Sequence, residues 1–198
     1  MTLRERLARA HAEGMARDAH APVKDAYAWP DIDTRKQAAV LMAVTDGPRP
    51  SLILTERPKT MPSHPGQVAF PGGRIDPGDA DALDAALREA EEEVGLSRHL
   101  VDVVGEVDMF HTGSGYDITP ILGVVPHDPP LVRNTYEVDE IFLAPLDFVL
   151  DPANHTRQTV HWSGAPRSYY EMYWEGHRIW GVTAGIIVNL ARRLQWIG

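Results

Sequence analysis

Three glutamates on one predicted helix carry the clearest chemical pattern in the sequence. Glu92 and Glu93 lie three and four residues after Glu89. These spacings place the three side chains on one helical face, with β-carbons within about 6 Å of each other. Like charges this close destabilise a helix and raise one another's pKa unless a cation compensates. Mg²⁺ takes oxygen ligands and binds carboxylates together with substrate phosphates. The spacing therefore indicates a divalent-metal site suited to attack of water on a phosphoanhydride.

Neighbouring residues support this interpretation. Arg88 lies four residues after Asp84 and four before Glu92, so its guanidinium can pair with either carboxylate. Gly72 and Gly73 precede the helix and allow the backbone to approach a metal or a phosphate closely. A charged run of this kind is also typical of a solvated helix face, and a glycine pair is typical of an ordinary turn. Taken alone, the string favours that plainer alternative.

The elements that must position these residues follow from apolar periodicity. Apolar residues recur at three- and four-residue spacing over 81–94, which predicts a helix with Asp79 or Asp81 as N-cap and Gly95 as C-cap. Further helices are predicted at 3–17 and 184–196, and strands at 36–44, 51–55, 67–70, 101–107, 118–125 and 140–145, with one or two more within 157–174. Strands interleaved with helices predict an α+β domain built in layers.

Composition limits the class of protein. The 198 residues include no cysteine, which excludes disulfides, thiolate metal sites and a cysteine nucleophile. Nineteen basic residues against 28 acidic ones give a formal charge of −9, which disfavours nonspecific binding of nucleic acid. The charged N-terminus is unlike a secretory signal, and no apolar run approaches the length of a membrane span. We therefore expect a cytoplasmic protein with neither a membrane nor a nucleic acid as its partner.

The segment from Gly73 to Leu96 resembles the Nudix box. The matching positions are Gly73, Arg88-Glu89, Ala90, Glu92-Glu93, Gly95 and Leu96. Asp79 stands where the box has its first glutamate, and eight residues rather than seven separate it from Arg88. The resemblance implies the Nudix fold, an α/β/α sandwich with a mixed β-sheet in which the box forms a loop–helix–loop.

The upstream segment 54–73 resembles the signature of the coenzyme A pyrophosphatases within that family. The shared positions are Ile53-Leu54-Thr55, Arg57, Gly66 and Phe70-Pro71-Gly72-Gly73. Pro58 stands where Ser or Ala is expected, and Pro62 stands where a second arginine is expected. Motifs further on, such as 112–116 and 179–181, look like the same branch, so the resemblance spans about residues 35–194.

The resemblance implies an Mg²⁺- or Mn²⁺-dependent pyrophosphohydrolase acting on a small nucleotide-type substrate. The leading candidate is coenzyme A or acyl-CoA, cut to 3′,5′-ADP and (acyl-)4′-phosphopantetheine. Because proline at position 62 supplies no donor to a phosphate, ADP-ribose, a dinucleotide or another nucleoside diphosphate derivative stays open as the substrate. A noncatalytic module that senses a nucleotide is the alternative of another class.

The resemblance also assigns residues to roles. Metal ligands are expected at Gly73, Glu89, Glu92 and Glu93, and catalytic residues at Arg88, Glu89, Glu92, Glu93 and Glu137. Candidates for binding the substrate phosphates are Arg57, Lys59 and Arg74, and a solvated face is the equal alternative for each of the three. Glu140 is an alternative to Glu137, and two exposed acids at the start of a strand are the plainer interpretation of both. We expect an N-terminal helix and extended arm over 1–34, and a single Nudix domain over 35–198 that includes the C-terminal helix. A homodimer is left open.

Overall fold

The computed structural model describes residues 1–17, 23, 35–162 and 165–196. Helices are interspersed among the strands along this part of the chain. The helices are α1 (Leu3–Ala16), α2 (Ala82–Val94), α3 (Leu146–Leu150) and α4 (Val182–Leu194). The strands are β1 (Lys36–Asp46), β2 (Ser51–Glu56), β3 (Val68–Ala69), β4 (Gly72–Arg74), β5 (Asp102–Glu106), β6 (Phe110–His111), β7 (Tyr116–Pro126), β8 (Glu140–Pro145), β9 (Thr156–Trp162), β10 (Ala165–Trp174) and β11 (His177–Trp180). The arm expected before residue 35 lies outside the described residues, apart from Val23.

A mixed sheet forms the centre of the structure, and β1 is its middle strand. β1 runs parallel to β7 along its whole length and antiparallel to β2 and β4. The main path of the sheet is β3-β2-β1-β7-β5, with β4 on β1, β6 on β7 and β8 on β2. β9, β10 and β11 form a separate antiparallel sheet of three strands. The parallel β1–β7 pair explains why β1 is an almost continuous apolar run, because such strands are buried on both faces.

The two faces of β1 meet different layers of helix. Leu41 and Ala43 belong to a core cluster with the apolar face of α2. Met42 and Val44 point to the opposite side and join a second cluster, to which α1 and α4 contribute. This alternation follows from the two-residue period of a strand. Helices therefore cover both faces of the mixed sheet, which confirms the α+β class and the α/β/α sandwich.

Helix α2 has the caps that its sequence predicts. The side chain of Asp81 accepts a hydrogen bond from the backbone N–H of Asp84 at 2.8 Å, which satisfies one of the free donors of the first turn. Gly95 ends the helix in the left-handed conformation, with φ of 66°. Asp79, the alternative N-cap, binds Arg88 instead. The positions of the two aspartates in the sequence did not indicate which of them caps the helix.

The predicted helices and strands are all present, and the elements that the pattern missed are short. β4, β6, β11 and α3 have between two and five residues, too few for a period to be recognised. The segment 157–174 contains two strands, β9 and β10, which was one of the two expectations. None of the described helices is long and apolar enough to cross a membrane.

Candidate active site

The glycine pair lies directly against the carboxylates of α2. β4 pairs with β1, which places Gly72 and Gly73 beside the sheet-facing side of the helix. The backbone N–H of Gly72 donates to Glu93 Oε2 at 3.3 Å. A β-carbon on Gly73 would lie 2.5 Å from Glu89 Cδ, closer than such atoms approach. The backbone at the two glycines therefore lies close to the carboxylates of Glu89 and Glu93, and its approach to a metal or a phosphate stays a prediction.

The three glutamates differ in their environments although their spacing is regular. Glu93 is buried at 5% exposure, Glu89 is half-buried and Glu92 is exposed. Arg88 Nη1 donates to Glu89 Oε1 at 3.0 Å and to Glu92 Oε2 at 3.1 Å. The guanidinium thus holds two of the carboxylates, while the third turns under the helix toward Gly72.

Arg88 links the helix to the loop that precedes it. Its Nε and Nη2 donate to the two carboxylate oxygens of Asp79 at 2.8 and 3.0 Å, and Nη2 also donates to the Arg74 carbonyl. The Arg88 guanidinium lowers the pKa of Asp79 to about 2. Pairing of Arg88 with Glu92 is confirmed, whereas pairing with Asp84 is wrong, because Asp84 binds Arg98 at 2.8 Å.

Burial dominates the electrostatics of the site. It raises the pKa of Glu93 to about 8, with the charges of Glu89 and Glu137 adding to the effect and the Gly72 N–H and Arg57 opposing it. The pKa of Glu89 is raised as well, first by burial, although Arg88 opposes the shift. A divalent cation beside the two carboxylates would compensate the negative charge that burial disfavours, so the residues fit the metal that their composition suggests.

Glu137 is the acid from outside the helix that joins this group. The loop before β8 is tied to the end of α2, because Asn134 N–H donates to the Glu93 carbonyl at 2.8 Å. Asn134 Nδ2 in turn donates to Glu137 Oε1 at 3.2 Å. Glu140, the alternative acid, lies instead beside His177. The structure therefore brings Glu137 close enough to raise the pKa of both Glu89 and Glu93.

A cleft opens next to the glycine pair. A cavity of about 220 Å³ has Arg57, Phe70, Gly72, Tyr116, Ile118 and Thr183 among its lining residues. It adjoins a second cavity of about 410 Å³ bounded by Trp180, Gly181 and Val182. His64 and Ser114 line both. The buried Nε of Arg57 has no hydrogen-bond partner within the described part of the chain, so a residue at the wall of the cleft carries an unused donor.

The other two predicted phosphate-binding residues have different positions. Arg74 is exposed, and its Nε and Nη2 donate to the hydroxyl of Tyr116 at 3.2 and 3.0 Å. Lys59 is exposed in the loop between β2 and β3, with its Cγ beside Gly66. Sequence reasoning missed Tyr116 and Trp180 as cleft residues. Both residues belong to motifs that the sequence did single out, at 112–116 and 179–181, but neither motif indicates that its aromatic side chain lines a cleft.

Comparison with known proteins identifies the arrangement. The model of the NUDIX domain matches residues 35–162. The chain belongs to the Nudix domain family. It is 40% identical over 162 residues to the "Uncharacterized Nudix hydrolase NudL" of Yersinia pestis (strain Pestoides F), an alignment that covers 82% of this chain and 81% of the relative. The same figures hold for the NudL protein of Yersinia pseudotuberculosis serotype O:1b.

The fold agrees with this assignment. The crystal structure of a MutT/nudix family protein from Enterococcus faecalis superposes with a TM-score of 0.50 at 13% sequence identity, covering 96% of this chain and 68% of that one. The segment from Gly73 to Leu96 is thus a Nudix box, and its loop–helix–loop is the β4–α2 unit with Gly95 at its end. The protein is a Nudix pyrophosphohydrolase, an enzyme of a family that uses divalent metals and hydrolyses substrates linked to a nucleoside diphosphate.

Gly73→Ala tests the contact between the Nudix box backbone and Glu89. The new methyl group would displace the carboxylate, the flexible end of a side chain, so we expect little change in thermal stability. Activity should fall about 10- to 100-fold, because a small displacement of a catalytic group has effects of this size. Gly78→Ala is the matched control, since its added β-carbon has no described atom within 4 Å apart from the glycine itself and its two chain neighbours. If the two variants have equal activity in a steady-state assay, the placement of the Glu89 carboxylate does not matter for catalysis.

Proposed function

We propose that this Nudix hydrolase cleaves the diphosphate of coenzyme A or acyl-CoA, releasing 3′,5′-ADP and (acyl-)4′-phosphopantetheine. The observation that carries the proposal is the composition of the cleft beside the box. At one end lie Gly72, whose N–H donates to the box carboxylate of Glu93, and Arg57, whose buried Nε has no hydrogen-bond partner among the described residues. Beyond them the cleft continues past Trp180 and Val182, where the described lining residues include no Lys, Arg, Asp or Glu.

This distribution matches a diphosphate that carries an uncharged flexible arm on one side. The pantetheine arm of coenzyme A consists of amides and short alkyl segments, which suit a mostly apolar pocket with a few polar groups. ADP-ribose and dinucleotides carry a sugar on both sides of the diphosphate and would leave many hydroxyls to be satisfied in the same space. The resemblance of residues 54–73 to the coenzyme A signature supports the same substrate, and Pro62 is an exposed departure from it.

We assign the metal to Glu89 and Glu93, with the Gly73 carbonyl and Glu92 completing the set. A bound Mg²⁺ or Mn²⁺ supplies positive charge that polarises a phosphoryl oxygen. Arg88 orients Glu89 and Glu92 through its two Nη1 hydrogen bonds. Glu137 accepts a proton from the attacking water in this scheme, since it lies beside the box glutamates and is not held by Arg88.

Phosphate binding falls to the basic residues around the cleft. The Nε of Arg57 finds no partner in the residues that the structure describes, and a charge-assisted hydrogen bond to phosphate would satisfy this buried donor. Arg74 reaches the cleft through Tyr116, whose hydroxyl it binds and whose ring lies 5.8 Å from its guanidinium carbon. Lys59 adds positive charge from the mobile end of an exposed side chain.

Product analysis by mass spectrometry tests the substrate. Purified protein is incubated separately with coenzyme A, ADP-ribose, NADH and a dinucleoside polyphosphate, each with Mg²⁺, Mn²⁺ or EDTA. We expect 3′,5′-ADP and phosphopantetheine from coenzyme A with metal and neither with EDTA. Cleavage of another diphosphate while coenzyme A survives would reject the substrate and keep the hydrolase. Thermal stabilisation by a nucleotide without any turnover would favour the sensing module.

Arg57→Gln tests the phosphate contact independently. Loss of the guanidinium should weaken transition-state stabilisation of the diphosphate and lower kcat/KM for coenzyme A about 10- to 100-fold. Arg9→Gln removes the same charge from the exposed surface of α1, where Arg9 pairs only with Glu13 in the described structure. A kcat/KM that falls equally in both variants would assign the effect to net charge.

A further inference from the structure

A second group of potential metal ligands lies outside the Nudix box. Glu56 is the last residue of β2, Glu140 the first of β8 and His177 the first of β11. One ligand atom from each of these residues lies within 4.8 Å of the other two. Among the described residues no other three potential metal ligands have donor atoms this close together. The glutamates of the Nudix box do not meet the same distance limit.

The register of the sheet places two like charges opposite each other at this point. β2 and β8 are antiparallel, and Glu56 pairs directly with Glu140. Like charges facing each other across neighbouring strands destabilise a sheet, and a bound cation would offset their repulsion. The imidazole of His177 lies beside both carboxylates, with Nδ1 at 3.0 Å from Glu56 Oε2 and Nε2 at 3.7 Å from Glu140 Oε1.

Packing fixes the imidazole in its orientation. The ring stacks on Phe142 with a centroid distance of 3.8 Å and an interplanar angle of 5°. The His177 side chain is 14% exposed and that of Glu56 is 18% exposed, whereas Glu140 is 58% exposed. Two ligands are therefore held in place, and the third faces solvent, from which an ion and its waters can enter.

We propose that Glu56, Glu140 and His177 bind a divalent transition metal, with Zn²⁺ as the best match, at a site separate from the Nudix box. A nitrogen and carboxylate donor set suits Zn²⁺ or Mn²⁺ better than Mg²⁺, which prefers oxygen ligands and retains its waters. Bonds of about 2.0–2.2 Å require the ligand atoms to contract around the ion, and the exposed Glu140 side chain can make that movement. Three protein ligands leave the remaining coordination positions to water.

An ion at this site would connect the two sheets beside the cleft. β11 carries Trp180, which bounds the larger cavity, and β2 leads directly into Arg57. The ion would hold the three-stranded sheet against the edge formed by β2 and β8. This inference does not depend on the identity of the substrate, because its ligands and its tests are separate from the box.

The nitrogen ligand gives the experiment its readout. Mn²⁺ is added to the metal-free full-length protein as a paramagnetic probe, and pulsed electron paramagnetic resonance records coupling to ¹⁴N. The expected Nudix-box ligands are all oxygen, so histidine coupling reports the second site. We expect it in the wild type and in Glu93→Gln, and its loss in His177→Gln. His99→Gln, which replaces an exposed histidine elsewhere, should keep it.

Zn²⁺ binding supplies the second measurement. By equilibrium dialysis, His177→Gln and Glu140→Gln should each bind this Zn²⁺ at least about tenfold more weakly than the wild type. Glu140→Gln alters an exposed side chain, so it keeps the test valid if His177→Gln does not fold. Absence of ¹⁴N coupling in the wild type, or equal Zn²⁺ affinity in all three proteins, would overturn the proposal and leave His177 as an ion-pair partner only. Failure of coenzyme A cleavage would leave it unaffected.

Discussion

Glu93→Gln is expected to lower kcat by about 10³-fold or more while the protein stays folded, because it removes a proposed metal ligand and preserves its shape. The amide can still accept the hydrogen bond from the Gly72 N–H. Steady-state assays with coenzyme A or the accepted diphosphate, together with circular dichroism, measure the two expectations. Mg²⁺ should also raise the Tm of the variant less than that of the wild type.

Glu91→Gln is the matched control for this substitution. It makes the same chemical change on the same helix, but Glu91 binds the side chain and the backbone N–H of Arg98 instead of facing the box. We expect near-normal kcat from Glu91→Gln. Near-normal activity of Glu93→Gln in the same preparation would show that the metal assignment is wrong.

The raised pKa of Glu93 also predicts how the metal-free protein responds to pH. Unfolded, this carboxyl titrates near 4.5, whereas folded it titrates near 8. Between these values the native state holds a proton that the unfolded state lacks, so the free energy of unfolding falls as pH rises through this window. Glu93→Gln removes the effect. In EDTA the Tm of the variant should match that of the wild type at pH 4.5 and exceed it increasingly toward pH 9. At pH 9 the free energy of unfolding of the variant should be larger by on the order of 4 kcal/mol.

Arg88→Met is expected to have the second largest effect. The substitution removes the partner of Asp79, whose side chain is 4% exposed, and releases Glu89 and Glu92. A buried carboxylate without its partner is strongly unfavourable, so thermal denaturation should show a Tm lower by several degrees. Activity should fall about 100-fold, because Glu89 loses the hydrogen bond that orients it.

Arg98→Met separates this effect from the general loss of an arginine. Arg98 also makes two ion pairs with acids of α2, Asp84 and Glu91, but it contacts none of the box carboxylates among its described partners. Its substitution should reduce stability modestly and leave kcat unchanged. Should the two variants have the same kcat, Arg88 would act only by stabilising the helix.

Local pattern was sufficient for most of the fold. The apolar spacing within 81–94 predicted α2 and its C-cap because a helical period and a terminal glycine are both read within one segment. The continuous apolar run of β1 predicted a buried strand for the same reason. β4 carries the glycine pair but was missed, because its three residues are too few to show a period. Its extended conformation comes from pairing with β1, which is distant in the sequence.

Within the site, the sequence determined which residues could do the chemistry, and the tertiary structure decided their environments. The motif from Gly73 to Leu96 predicted the family and named the carboxylates that are candidates for metal binding. Only the packing of α2 on the sheet made Glu93 the buried acid with the raised pKa. Only the docking of the loop before β8 brought Glu137 to the box and left Glu140 beside His177. Burial and charge pairing depend on segments far apart in the chain, and no spacing within one segment reports them.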